Sequence, residues 1–139
     1  MEGLAMIITM STFLIITAIG VVYYWSDFYL RGSVHIIKEE WYIKFERAFP
    51  PADIWMAVCA LVGAIGLLVG QSYGLLFSLL AASSLIFLAL MDITFSIQNK
   101  LYRLIATSNP MKFELLINLW TLGLGIALII YLSSRIDAL

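Results

Sequence analysis

Charge is scarce in this chain, and so are cysteine and histidine. Only 12% of its 139 residues are charged and 63% are hydrophobic, whereas a soluble domain carries about a quarter charged residues, so the composition excludes an ordinary water-soluble fold. Lipid is the expected solvent. The single cysteine, Cys59, lies inside an apolar run, which excludes an intrachain disulfide, a CxxC redox pair and a cysteine-based zinc cluster. The single histidine, His35, excludes bis-histidine haem ligation and any zinc site that needs two imidazoles. Eight Lys and Arg stand against nine Asp and Glu, a net charge of -1, so no basic excess is available to neutralise a phosphate backbone and nucleic acid is not an expected partner. There is no P-loop, dinucleotide fingerprint, GxSxG or HExxH. Neither an internal repeat nor a low-complexity stretch is present.

What is there is long apolar runs. Four of them, residues 4–25, 52–69, 75–97 and 113–132, approach the ~20 apolar residues that cross a hydrocarbon core as a helix. The expected fold is an all-α integral membrane protein, a four-transmembrane-helix bundle forming a single membrane domain over residues 1–139. The first run has no Lys or Arg before it, is long for a signal peptide and is followed by no clean small-x-small cleavage site, so it is read as a retained span. Gly70-Gln71-Ser72-Tyr73-Gly74 is too short to do anything but reverse the chain, making the second and third spans antiparallel neighbours. Pro50-Pro51 opens the second span, and Asn109 is expected to cap the fourth ahead of Pro110, with Glu114 in its first turn.

Charge placement orients the bundle. Arg31, Lys38, Lys44 and Arg47 precede the second span and Lys100, Arg103 and Lys112 lie between the third and fourth, leaving only Arg135 for the opposite side. The positive-inside rule makes both of these connections cytoplasmic and both termini extracytoplasmic. Tyr23, Tyr24, Trp25, Trp55 and Tyr131 fall near the span ends, as interfacial aromatic anchors do. Within the first connection, Val34, Ile37, Trp41, Phe45 and Ala48 recur at helical spacing, with His35, Lys38, Glu39, Glu46 and Arg47 on the other face and Glu40 to Lys44 as an i to i+4 pair. The spacing predicts an amphipathic interfacial helix over residues 33–49, lying in the headgroup plane. It serves either as a gate or lipid sensor or simply as a connector, and its mixed charge favours the connector.

The functional signal is polar residues inside the apolar runs. Asp92 sits about six positions from the basic end of the third span, about 9 Å deep at ~1.5 Å per residue. An acid there costs roughly 2.5–3.5 kcal/mol on mild insertion scales, so it is expected to face the bundle interior with partners. Asp92, Ser96, Asn99 and Arg103 fall on one stripe. Glu114, Asn118, Thr121 and Gly125 form a matching stripe on the fourth span, Asp53 begins the second span above Ala57, Ala60 and Ala64, and Asp27 ends the first. These phases predict a polar pocket in the cytoplasmic leaflet built from Asp53, Asp92, Ser96, Asn99, Glu114 and Asn118. Such an acidic pocket suits a proton, a hard cation or a cationic ligand group. The other reading of the same residues is an internal lock in which Asp92 is protonated or paired with Asn118 or Arg103. Gly63, Gly66, Gly70 and Gly74 predict close packing against Ser78, Ala81 and Ala82, with Gly123 and Ala127 of the fourth span packing likewise.

Three functions remain open on sequence alone. The first is a small multi-pass protein that binds a small ligand or cation in this pocket, as a transporter or channel protomer working in a homo-oligomer. The second is an accessory or assembly subunit of a larger membrane complex. The third is a lipid-modifying enzyme using Asp92 or Glu114 as acid or base, for which no nucleophile-base pair is visible. No catalytic residue, metal-ligand set or cofactor is assigned, and membrane lipid is the one certain surrounding.

Overall fold

A computed structural model describes residues 1–138. Five α-helices follow in order: α1 (Glu2–Leu30), α2 (Glu40–Glu46), α3 (Pro50–Leu68), α4 (Ser72–Gln98) and α5 (Asn109–Ser133), with short 3-10 turns at Leu101–Leu104 and Ile136–Ala138. No strand occurs among the described residues. Four of the helices, α1, α3, α4 and α5, are long and apolar enough to cross a membrane.

Helix α3 packs on α1 and on α4, and α4 packs on α5. The fourth edge of the ring, between α1 and α5, is bridged by side chains instead of close backbone packing. Trp120 donates its indole N–H to Thr17 Oγ1 across 2.9 Å, Phe13 meets Trp120 edge-on at 5.1 Å, and Tyr24 stacks on Phe113 at 6.5 Å.

Small residues explain the tight α3–α4 edge. A Cβ placed on Gly63 would lie 2.5 Å from Ser78 Oγ, and one on Gly66 would run into the Gly74 backbone. The hairpin between them closes as a Schellman turn: Gln71 N–H donates to Gly66 O at 2.8 Å and Gly70 N–H to Leu67 O at 3.3 Å, with Gly70 at φ +68° where a side chain is strained. On α5 the close approach is made by Gly125, which faces the Ala82 carbonyl and Ile86, while Gly123 has no neighbour within 4 Å. The expectation for Gly123 is thereby corrected. It lies two residues, roughly 200° around an α-helix, from the α4-facing stripe.

The segment before α3 differs from the expected 33–49 helix. Only Glu40–Glu46 is helical, because the chain leaves α1 through Gly32 at φ +71° and is pinned back onto it. Asp27 accepts from Ser33 Oγ at 2.5 Å and from Val34 N–H at 3.0 Å, and His35 Nε2 lies 3.0 Å from the Phe28 carbonyl, which can only accept. His35 therefore has a definite partner. Phe45 stacks flat on Phe95 of α4 at 3.5 Å, and Tyr42 joins Leu101 and Met111 in a small core capping this end of the bundle. Glu46, expected on the solvated face, is only 5% exposed, whereas Trp41 is 42% exposed. The Glu40–Lys44 pair forms at 2.8 Å on the exposed side.

The cap of α5 is also shifted. Ser108, not Asn109, closes it by accepting from Met111 N–H at 3.2 Å, so α5 starts at Asn109 and Glu114 lies beyond the first turn.

Candidate functional site

At the end of the bundle carrying the two long connections, a cavity of about 380 Å³ sits between α1, α3, α4 and α5. Glu46, Asp53, Asp92 and Glu114 all line it, each delivered by a different helix. Asp53 comes from the first turn of α3, where the two prolines start the helix. Asp92 lies almost two turns before the end of α4, Glu114 in the second turn of α5, and Glu46 at the last position of α2. Glu46 and Glu114 are each 5% exposed.

The four acids are held by neutral donors. Trp25 donates its indole N–H to Asp53 Oδ2 at 2.8 Å. The Tyr24 hydroxyl stands 3.4 Å from Glu46 Oε2 and 3.5 Å from Glu114 Oε2, long contacts that leave both carboxyls weakly satisfied. The Asp92 carboxyl lies beside Glu114 and Asn118. Two neighbouring carboxyls repel each other when both are ionised, so the pair favours carrying one proton or a cation between them. Asn118, 2% exposed, donates to Tyr102 Oη at 3.3 Å. Burial raises the Tyr102 phenol above its ordinary pKa, so it remains a neutral hydroxyl. The Tyr42 ring is 1% exposed and its hydroxyl, in the field of Glu46, Glu114 and Asp92, has no hydrogen-bond partner.

No basic residue answers these acids. Among the described residues the one ion pair is Lys44 with Glu40, away from the cavity, and Arg103, offered by the sequence as a partner for Asp92, is exposed. The reason is local: α4 ends at Gln98, and Lys100 takes a left-handed conformation at φ 56°, so the helical stripe does not continue to Arg103. Asn99, the C-cap of α4, is exposed and turns its amide back to Phe95 O at 2.9 Å. Ser96 is buried beside Tyr102, behind the cavity wall rather than on it. Asp92, Asn118, Asp53 and Glu114 are brought together. Among the described residues no group of three or more His, Cys, Asp or Glu stands close enough to hold a metal ion.

Sequence reasoning missed Glu46, Tyr24, Trp25 and Tyr42. The two neighbouring aromatics were assigned to the interface by position, but their polar atoms turn inward to the acids. The remainder of the cavity wall is apolar, with Val21, Met56, Leu85, Leu88 and Ile117 towards the middle of the bundle. Its lining also includes Ile16, Gly20 and Tyr23 of α1 and Phe113, Leu116 and Trp120 of α5, all exposed on the outer surface. The cavity therefore opens sideways between α1 and α5. No family model, curated protein or solved structure matches the chain.

Proposed function

We propose that this is a membrane-embedded binding protein whose acid-lined cavity takes up a small cation or a small ligand bearing a positive charge. One observation carries the reading: Glu46, Asp53, Asp92 and Glu114 converge on one cavity and none has a basic partner. Ionised carboxylates in a low-dielectric site cost several kcal/mol each when unpaired, so the site is stable either with protons on its acids or with a cation among them. Exchange between those two states is a cycle of proton release and cation uptake.

The positive-inside pattern supports a cavity in the cytoplasmic leaflet, since seven of the eight Lys and Arg in the sequence flank the two connections at that end. As a transporter or channel protomer the chain would act with further copies of itself, because four helices enclose little space.

Methylammonium tests the reading. Titrated into the protein in phosphatidylcholine nanodiscs, it should bind saturably at one site. Asp92→Asn and Glu114→Gln should each weaken that binding about tenfold, the loss of one charge partner at ~1.4 kcal/mol. Equal binding by both variants, with their helical melts intact, would remove the proposal.

A further inference from the structure

The cavity has two chemically distinct parts, and its opening has a shape. The acids occupy one end, and the apolar part leads out between α1 and α5, where the helices are bridged at two levels. One bridge is Trp120 to Thr17 and the other is the Tyr24 stack on Phe113. Thr17 and Tyr24 are seven residues apart, about 10 Å along the helix at ~1.5 Å per residue. Between them on α1 lies Gly20, which lines the cavity and on which an added Cβ would meet nothing within 4 Å. The gap faces the side of the bundle, where lipid tails lie.

Resting on the cation-binding reading above, we infer that the occupant is a lipophilic amine, a single ammonium group on one slim apolar chain, reaching the acids sideways from the bilayer through the window at Gly20. The head group is specified by charge: four acids lining the cavity without a basic partner match a donor-only cation. A phosphate on the same molecule would be repelled by those acids. The chain is specified by the wall and the window, since the route from lipid to the acids is apolar and carries no charged group. The volume, about 380 Å³, lies near the small end of the ~300–1,000 Å³ of ordinary ligand sites and suits one chain rather than two.

The test uses octylammonium, methylammonium and octanol with the protein in phosphatidylcholine nanodiscs, after subtraction of protein-free discs. Octylammonium should bind about tenfold more tightly than either methylammonium or octanol, because only it fills both parts of the site. Gly20→Leu should weaken octylammonium about tenfold and weaken methylammonium less, since the added side chain fills the apolar route and not the acid end. Gly123→Leu, at a second glycine with open space around it but outside the cavity lining, should alter neither. Discs of phosphatidylethanolamine should give the same octylammonium affinity; competition there would identify a two-chain lipid as the source of the amine and overturn the single-chain assignment. Octanol binding as tightly as octylammonium would overturn the amine. Unchanged octylammonium binding in Gly20→Leu, with methylammonium still bound by wild type, would overturn the lateral window while leaving the cation site standing. If no amine binds saturably, both fall.

Discussion

Trp25 donates its indole N–H to Asp53 across 2.8 Å, fastening the end of α1 to the start of α3. The bond fixes one wall of the acid-lined cavity, and Trp25 is itself only 9% exposed. Replacing it with Phe keeps a ring but leaves a buried carboxyl oxygen without its donor. Trp25→Phe is expected to lower stability by about 1–3 kcal/mol, whereas Asp53→Asn, whose amide oxygen still accepts, should cost less. Thermal melts of the two variants in the same detergent, followed by circular dichroism, compare them.

The α3–α4 hairpin depends on Gly66. A methyl there has nowhere to go, because its neighbour is the backbone of Gly74 and not the mobile end of a side chain. Gly66→Ala should therefore destabilise the bundle by about 1–3 kcal/mol, as overpacking does. Gly123→Ala, in open space, should leave the melting temperature unchanged or raise it, since Ala is the better helix former.

Asp27 is a structural acid, distinct from the four around the cavity. It holds the turn after α1 by accepting from Ser33 and Val34. Asp27→Ala should release this turn, increasing amide hydrogen exchange at Val34 and His35 by about tenfold or more while α4 and α5 keep their protection. Methylammonium binding should persist in this variant.

The membrane spans were legible because length and apolarity suffice to mark them: expected runs at residues 52–69 and 75–97 became Pro50–Leu68 and Ser72–Gln98. The polar ends were harder. Helix α1 continues to Leu30, past the aromatic cluster at Tyr23 to Trp25 that marks its expected end, so Tyr24 and Trp25 stand within the helix with their polar atoms at the acids. Helical phase puts Asp92 and Asn118 on neighbouring stripes, and α4 and α5 are regular helix at those positions. The same extrapolation does not reach Arg103, because Lys100 turns left-handed and the phase is lost, while Asn99 is the exposed C-cap of α4. Glu46 was hidden for a different reason. Its neighbours Lys44 and Arg47 are exposed, so local pattern gives it to solvent. Only the stack of Phe45 on Phe95, a contact between residues fifty positions apart in the sequence, rotates it inward.

On the proposed reading, a cation entering the cavity takes the place of a proton on the neighbouring Asp92 and Glu114 carboxyls. Binding should therefore release a proton and tighten as pH rises, because the acids must be ionised to receive the guest. The most direct test is calorimetric titration of methylammonium into the nanodisc-embedded protein in two buffers of different ionisation enthalpy, which counts protons exchanged on binding. The account predicts net proton release in wild type, reduced in Glu114→Gln. Saturable binding with no proton exchange, or with the same exchange in Glu114→Gln, would contradict it.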